Sequence, residues 1–153
     1  MEKLKHDKTV IITEKDSAAK LSGDIRIVSP GETITLDAVT VEAVAAYNVN
    51  KNFHPKAKGW LGFVVTVDGI RIYHAGDTDF IPEMKALDVD IALLPVSGTY
   101  VMTAPEAVEA ALAIGPKIAV PMHYGSIVGA VSDAETFRSA LEGKIDVHIL
   151  ARA

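Results

Sequence analysis

Two short polar segments follow apolar runs at positions where strands should end. Asp77 comes directly after a glycine in Tyr-His-Ala-Gly-Asp-Thr-Asp at residues 73–79, and His123 lies in Pro-Met-His-Tyr-Gly at residues 121–125. Carboxylate oxygens and imidazole nitrogens are ligands for zinc and related divalent metals. Gly76 allows a tight backbone turn, so the carboxylate of Asp77 can project from the strand end. The two segments indicate a metal site at one edge of a sheet.

Each candidate ligand also has an ordinary structural interpretation. An aspartate in a Gly-Asp-Thr turn often hydrogen bonds to its own backbone, which would give Asp77 a local role. The alternative for His123 is a partly buried, hydrogen-bonded imidazole. His54 lies in a polar loop at residues 48–56, where it is either a site residue or an ordinary surface residue. The other histidines are expected to pack or to have no specific role, and they are His74, His6 and His148.

The order of the predicted elements favours an α/β fold. Strands are expected in the first half at 9–13, 25–28, 33–36, 39–45, 60–67 and 70–74, with a weak helix at 14–21. Strands at 89–94, 117–120 and 147–150 then alternate with two helices. This order predicts helices that cover sheets, with the strand ends carrying the site.

Local signals set several element boundaries. Asp68-Gly69 is a two-residue hairpin turn. A capping box that begins at Thr103 predicts a helix to Ile114, and a second one that begins at Ser132 predicts a helix to about residue 143. Pro121 lacks a backbone donor and is expected to end the strand before it.

Composition narrows the function classes. The 153 residues suit a single domain over 1–153, and the net charge of -5 argues against nucleic acid or an anionic membrane as a partner. The chain has no cysteine, so any metal must bind His, Asp, Glu or water. The N-terminus is too polar for a signal peptide, and no apolar run is long enough to span a bilayer, which favours a cytoplasmic protein.

Six segments, taken together, resemble the metallo-β-lactamase superfamily. The closest resemblance is to the branch that includes ascorbate-phosphate lactonase and other metal-dependent hydrolases. The segments occur in the family's order and cover most of the chain from about residue 43, at 46–48, 53–56, 59–60, 73–79, 92–100 and 121–125. Each segment is weak alone, but their joint occurrence favours metal-binding roles for Asp77 and His123.

The resemblance implies an αββα sandwich with two metals at one edge. Asp77 would bridge the metals, and His123 would bind the second. His54 is the candidate for the first metal, with Asn48 as the alternative at that place. Zinc is the first choice of metal, and manganese and iron are alternatives.

Two tyrosines complete the implied site. Tyr100 and Tyr124 would lie near the substrate mouth, Tyr100 as a catalytic candidate, and the alternative for both is packing of the loops. The implied substrate is a small molecule.

The chain departs from the family at its start. The His-x-His-x-Asp-His segment that supplies most of the family's ligands does not occur in these residues. We therefore expect an N-terminally incomplete domain that begins inside the helix after that segment. Missing strands would expose a sheet edge and apolar surface. A homo-oligomer, or another chain that covers this edge, is the expected consequence.

Two functions follow from the resemblance. The first is hydrolysis of a lactone, ester, amide or phosphoester by a metal-activated water, with weak or no activity in this chain. The second is a metal-free remnant that acts as a structural or interaction module. No glycine-rich phosphate loop or nucleophile elbow supports another chemistry.

Overall fold

Strands dominate the first half of the chain, and strands alternate with helices in the second half. The computed structural model describes residues 6–151. Its elements, in chain order, are β1 (Val10–Thr13), α1 (Lys15–Ala18), β2 (Asp24–Ile27), β3 (Thr33–Leu36), β4 (Val39–Ala45), β5 (Leu61–Val67), β6 (Ile70–His74), β7 (Ile91–Pro95), α2 (Ala104–Ile114), β8 (Ile118–Met122), α3 (Val131–Leu141) and β9 (Asp146–Val147). Two short 3-10 helices, Lys56–Lys58 and Pro82–Ala86, lie in the connections.

A seven-stranded sheet is the frame of the molecule. Its strand order follows the chain from β3 to β9, while β1 and β2 form a separate two-stranded parallel sheet. Strands β3 to β6 pair antiparallel, and β6 to β9 pair parallel. The change occurs at β6. The β3–β4 and β5–β6 connections are two-residue turns, whereas the β7–β8 and β8–β9 connections each contain an α-helix.

One face of this sheet, which we call the helix-covered face, carries the core. Val64, Tyr73, Ala92 and Ala119 are in register across β5 to β8, and all are buried. Helices α2 and α3 pack on them together with the 3-10 helix Pro82–Ala86. The apolar side chains of this face therefore have a complete cover.

The opposite face, which we call the open face, is also apolar. Five β-branched side chains form one row in register across β4 to β8, and they are Val41, Val65, Ile72, Ile91 and Ile118. All five are half-buried, and none belongs to the core cluster found among residues 6–151. Helices α2 and α3 pack on the other face. The open face is thus an apolar surface without a helix layer in the described part of the chain.

The α/β class predicted from the sequence is confirmed. Strands β3, β4 and β6 and helix α2 have the predicted bounds, and the Asp68-Gly69 turn joins β5 and β6. The last strand was predicted at 147–150, but it spans Asp146–Val147 and shares only Val147 with the prediction. No helix within residues 6–151 has the length and apolarity needed to cross a bilayer.

The prediction that Pro121 ends its strand was wrong. Strand β8 continues through Pro121 to Met122, and Pro121 pairs with Leu94 of β7. The Ala119 carbonyl accepts from the His148 N–H on the β9 side of the strand, and alternation places the Pro121 nitrogen on that side too. Because β9 has already ended there, the missing N–H removes no ladder hydrogen bond.

The predicted start of the last helix was also wrong. Helix α3 begins at Val131, before Ser132, and its N-cap residue is Ala130. The backbone N–H of Ala130 donates to the carboxylate of Asp133 at 2.8 Å. The acidic side chain at the third helical position therefore fixes the start without a hydroxyl cap.

Candidate metal centre

The candidate ligands come from three strand ends at one sheet edge. Strands β4, β6 and β8 run in the same direction, because β4 and β6 are each antiparallel to β5, and β6 to β8 are parallel. His54 lies in the loop after β4, Asp77 follows β6, and His123 follows β8. The sheet topology therefore brings together three residues that are widely separated in sequence.

The carboxylate of Asp77 lies between the two imidazoles. Its Oδ2 is 3.5 Å from Nε2 of His54, and its Oδ1 is 3.5 Å from Nε2 of His123. These separations are too long for good hydrogen bonds. Two ligands of one tetrahedral zinc, each about 2.1 Å from the metal, lie about 3.4 Å apart. The spacing therefore suits a carboxylate that shares one metal with each histidine.

Neighbouring polar groups contact the Nδ1 atoms of both imidazoles, on the side of each ring away from Asp77. Nδ1 of His123 is 3.0 Å from Oγ of Ser97. Nδ1 of His54 is 3.3 Å from the Tyr100 carbonyl and 3.3 Å from Nδ2 of Asn48. An imidazole that donates from Nδ1 presents an unprotonated Nε2, which is the form that binds a metal. In both residues, that nitrogen faces Asp77.

Both histidines have a backbone conformation that side-chain-bearing residues seldom adopt. The φ angle is +47° at His54 and +62° at His123. The only other described residues with positive φ, apart from glycines, are Asp37 and Asp68, which lie in hairpin turns. Strained backbone of this kind is concentrated at functional sites.

A buried polar clamp holds the loop that carries His54. The hydroxyl of Thr78 accepts from the Tyr47 N–H at 3.1 Å, and the carboxylate of Asp79 accepts from the Val49 N–H at 2.8 Å. Asp79 also forms an ion pair with Lys51, and the two side chains are 5% and 17% exposed. The segment after Asp77 therefore fixes residues 47–51 in place.

Sequence reasoning missed the roles of Thr78 and Asp79. Their adjacency to Asp77 was visible, but their partners lie 31 and 30 residues earlier in the chain. The sequence offered one signal, the Asp-Thr-Asp run at 77–79 immediately before the apolar pair Phe80-Ile81. Three polar residues next to an apolar pair are unusual unless their side chains form hydrogen bonds.

Two glycines allow strand β5 to approach the Asp77 loop closely. A Cβ atom at Gly62 would lie 2.6 Å from the Ala75 carbonyl oxygen. A Cβ atom at Gly76 would lie 2.9 Å from the Leu61 carbonyl oxygen, and Gly76 has φ of +69°. Neither position can accept a side chain without movement of the backbone.

The remaining predicted site residues take supporting places. The structure puts His54, not Asn48, beside Asp77, and Asn48 is buried behind His54 with its Nδ2 donating to the Tyr100 carbonyl at 2.7 Å. The described contacts of Tyr100 with this centre are made by its carbonyl, while its ring packs edge-on against Phe53 at 4.9 Å. Tyr124 is half-buried and packs against the core.

The other histidines lie outside this arrangement. His74 was expected to pack, but it is exposed, and its Nδ1 accepts from the Gly76 N–H at 3.2 Å. His148 pairs with Asp146 at 2.9 Å on the surface. His6 forms local hydrogen bonds with residues 8 and 9.

The donor set fits a divalent metal in chemistry, but it is incomplete in number. Two imidazole nitrogens and one carboxylate are borderline-hard donors that suit zinc, manganese or iron. They form two pairs that share Asp77. Within residues 6–151, no group of three or more acidic or histidine side chains has an arrangement that could hold a metal ion by itself.

A cavity of about 310 Å³ adjoins the centre. His54 and Asp77 are among its lining residues, and the others are Thr13, Glu14, Ser17, Ala46, Trp60, Leu61 and Phe63. The Trp60 ring packs edge-on against His54 at 5.2 Å. Burial works to raise the pKa of Glu14, but hydrogen bonds from the Ser17 side chain and from the Ser17 and Asp16 N–H groups outweigh it, so the pKa is lowered.

Comparison with known proteins agrees with this geometry. The Beta-lactamase superfamily domain matches residues 7–123. The UPF0173 metal-dependent hydrolase of Thermoplasma acidophilum is 38% identical over 127 residues, which are 80% of this chain and 56% of that protein. A crystal structure from Parabacteroides distasonis, assigned as a metal-dependent hydrolase, is 39% identical with a TM-score of 0.86 and covers 97% of this chain and 67% of that one.

A more distant structure shares the fold and is a metallo hydrolase from Ignicoccus hospitalis. It is 27% identical, has a TM-score of 0.73, and covers 88% of this chain and 60% of that one. The chain thus spans little more than half the length of curated relatives that it matches. The match over residues 7–123 and the identity to these proteins show that the chain belongs to the metallo-β-lactamase superfamily.

Proposed function

We propose that the protein is a metal-dependent hydrolase with two metal positions, one between His54 and Asp77 and the other between Asp77 and His123. The observation that carries this proposal is the single carboxylate with one oxygen 3.5 Å from each of two imidazole Nε2 atoms. The relatives named metal-dependent hydrolases support it. Zinc is the proposed metal, with manganese and iron as alternatives.

A divalent metal held by His54, Asp77 and His123 would supply Lewis acidity and would lower the pKa of a bound water. The chain's own residues orient the ligands. Ser97 and the Tyr100 carbonyl hold the two rings, so that each Nε2 faces Asp77. The clamp formed by Thr78 and Asp79 holds the His54 loop against the Asp77 loop. The proposed substrate is a small-molecule lactone, ester, amide or phosphoester.

The incomplete ligand set limits the expected activity. A metal beside either imidazole would have two protein ligands, that imidazole and the Asp77 carboxylate. Its other coordination positions must be filled by water, substrate or another chain. We propose weak activity for the 153 residues alone. The open face and the incomplete ligand set favour a second candidate, in which the domain is a metal-free structural or interaction module.

Zinc titration separates these two functions. The chain has a single tryptophan, and Trp60 packs on His54, so its fluorescence reports directly on the centre. We expect zinc to change Trp60 fluorescence and to bind in calorimetry. Asp77→Ala should weaken zinc binding by about tenfold or more, since it removes the ligand that both histidines share.

The matched control is Asp88→Ala, which removes another exposed aspartate, in the connection before β7. Both variants should unfold at nearly the same temperature as the wild type, because Asp77 and Asp88 are exposed. Zinc binding that is absent, or that survives Asp77→Ala unchanged, contradicts the metal centre and favours the module.

A further inference from the structure

Another cavity, of about 400 Å³, is lined by residues of strand β4, of the 3-10 helix Pro82–Ala86 and of the loop between β4 and β5. Much of its lining is apolar, and the apolar side chains include those of Val44, Ala46, Trp60, Ala86 and Leu87. The charged residues that line it are Glu42, Lys56 and Glu83. A mostly apolar cavity of this size with a few charged groups is typical of a small-molecule site.

One ammonium group of the protein is already bound among the lining residues. Nζ of Lys56 is 2.8 Å from Oε1 of Glu83 and 3.1 Å from the hydroxyl oxygen of Tyr47. It also lies 4.5 Å from the centre of the Tyr47 ring. A carboxylate, a hydroxyl oxygen and an aromatic ring are groups that bind an ammonium ion. We call this arrangement of Tyr47 and Glu83 the ammonium subsite.

The two residues of the ammonium subsite are held in place by contacts that do not involve Lys56. Tyr47 is buried, and its hydroxyl donates to Oε2 of Glu83 at 2.9 Å. The Tyr47 N–H donates to the Thr78 hydroxyl at 3.1 Å, and the Tyr47 carbonyl accepts from the Asp79 N–H at 3.0 Å. The 3-10 helix that carries Glu83 packs on the core. The subsite is therefore preformed for an ammonium group.

Lys56 itself is held only weakly in the ammonium subsite. Its side chain is 66% exposed, and its partner Glu83 is also partly exposed. Exposed ion pairs contribute little to stability, because solvent screens them and a long side chain loses entropy when it is fixed. An external ammonium group can therefore displace Lys56, whose flexible side chain can turn into solvent.

The charge of the lining favours a cationic ligand over an anionic one. Two carboxylates, Glu42 and Glu83, line the cavity with the single ammonium group of Lys56. The ion pair of Glu42 with Arg71 is long, at 3.4 Å, and both side chains are partly exposed. Once Lys56 has moved out, a cationic ligand would replace its charge, whereas an anionic ligand would face two carboxylates.

We propose that this cavity binds a primary alkylammonium or arylalkylammonium compound, whose ammonium group displaces Lys56 from Tyr47 and Glu83 and whose apolar portion lies along Trp60 and Leu87. The site uses none of the candidate metal ligands, so it is independent of the proposed hydrolase function. Lys56 is an internal competitor of the ligand, and its removal should strengthen binding.

Three probes with the same alkyl chain and different head groups test this inference. Hexylamine, hexanol and hexanoate are titrated at neutral pH with a metal chelator present, so that metal binding does not affect the result. Trp60 lines the cavity and is the single tryptophan, so its fluorescence reports binding, and calorimetry measures the affinity. Hexylamine should bind more tightly than hexanol, and hexanoate should bind most weakly.

Removal of the internal competitor gives the most specific result. Lys56→Met keeps an apolar side chain and leaves the ammonium subsite empty, so hexylamine should bind about tenfold more tightly or better. Lys58→Met is the matched control, because Lys58 lies in the same 3-10 helix, pairs with Asp16 and is not among the residues that line the cavity. It should leave the hexylamine affinity unchanged.

Two further variants locate the ligand. Glu83→Gln removes the charge of the ammonium subsite and should weaken hexylamine binding by about tenfold without changing hexanol binding. Ala86→Phe places a large side chain in the cavity and should weaken the binding of both compounds. Ala113→Phe on α2 is its control, since both alanines are exposed and Ala113 does not line the cavity.

Several outcomes would overturn the inference. Equal affinities for hexylamine and hexanol, or tighter binding of hexanoate, contradict the ammonium preference. A hexylamine affinity that Lys56→Met does not raise contradicts the displacement of Lys56. Hexylamine binding that survives Ala86→Phe unchanged places the ligand outside this cavity.

Discussion

The two faces of the seven-stranded sheet are both apolar, but their side chains differ in shape. The helix-covered face has the small residues Ala92 and Ala119 on β7 and β8, beside the larger Val64, Tyr73 and Leu94, and α2 meets it with alanines at 104, 107, 110 and 111. The open face presents a row of valines and isoleucines. Small residues let a helix lie close to a sheet, whereas β-branched residues suit packing of one sheet on another.

The difference in side-chain shape indicates which kind of element packs on each face. The helix-covered face has its partner within the described chain. The open face has the composition of one half of a sheet-on-sheet layer, which agrees with the sandwich expected for the superfamily. Burial and composition therefore distinguish a complete layer from one that presents an apolar surface to a further partner.

The largest expected difference between the faces comes from two adjacent leucines on β7. Leu94 points to the helix-covered face and is fully buried, and Leu93 points to the open face and is half-buried. We expect Leu94→Ala to lower the free energy of unfolding by about 3–5 kcal/mol, and Leu93→Ala by roughly 1 kcal/mol. Urea unfolding of both variants measures this. Equal losses would show that a partner already covers the open face in solution.

Self-association tests the open face directly. We propose that the protein self-associates and that a second copy covers the open face. Ile72→Lys places a charge in the middle of its apolar row and should weaken association by about tenfold or more. Sedimentation velocity measures this, with Leu112→Lys on α2 as the matched control. A wild-type protein that stays monomeric at high concentration would contradict the proposal.

A smaller effect concerns Tyr73 on the helix-covered face. Its hydroxyl is buried and has no hydrogen-bond partner among residues 6–151, and burial raises the pKa of this phenol, so it stays protonated. Tyr73→Phe removes the unpaired group with little change of shape and should stabilise the protein by about 1 kcal/mol. A loss of stability in thermal unfolding would instead point to an ordered water that satisfies the hydroxyl.

The smallest effect is pH-dependent and concerns the 3-10 helix that covers the same face. Hydrogen bonds from Lys56, and then from Tyr47, lower the pKa of Glu83. A carboxylate with a lowered folded-state pKa stabilises the fold above its unfolded pKa, and this contribution is lost as the pH falls through the folded pKa.

Glu83→Gln should therefore cost about 0.5–1 kcal/mol at pH 7, at the low end for hydrogen bonds because Glu83 is 37% exposed. The difference from the wild type should shrink as the pH falls below the ordinary glutamate pKa of about 4.3, and it should disappear below the lower folded-state pKa. Thermal unfolding at several pH values measures it. A difference that is constant with pH would assign the effect to packing of the side chain.

Features with local causes were predictable from the sequence. The Asp68-Gly69 turn and the capping box at Thr103 each depend on neighbouring residues, and both occur as predicted. The sequence also identified His54, Asp77 and His123 as candidate ligands, and the structure brings them together. Their roles as metal ligands stay predictions that the zinc titration tests.

Features with distant causes could not be read from the sequence. The tolerance of β8 for Pro121 depends on how early β9 ends, and the clamp at Asp79 depends on backbone groups 30 residues away. The separation of the two sheet faces also required the strand register, because alternation alone does not say which side the helices cover. The relation to ascorbate-phosphate lactonase, the incomplete N-terminus and the cytoplasmic location stay predictions.

The left-handed backbone conformations at His54 and His123 set the stability of the fold against the proposed metal-binding function. A chain selected only for a robust fold would place glycine or asparagine at both positions, since these residues adopt positive φ at the lowest energetic cost. Histidine at these positions lowers the free energy of unfolding of the metal-free protein by roughly 1 kcal/mol or more at each position. Directed evolution for heat resistance alone should therefore discard these two side chains early, and selection for metal-dependent turnover should restore them.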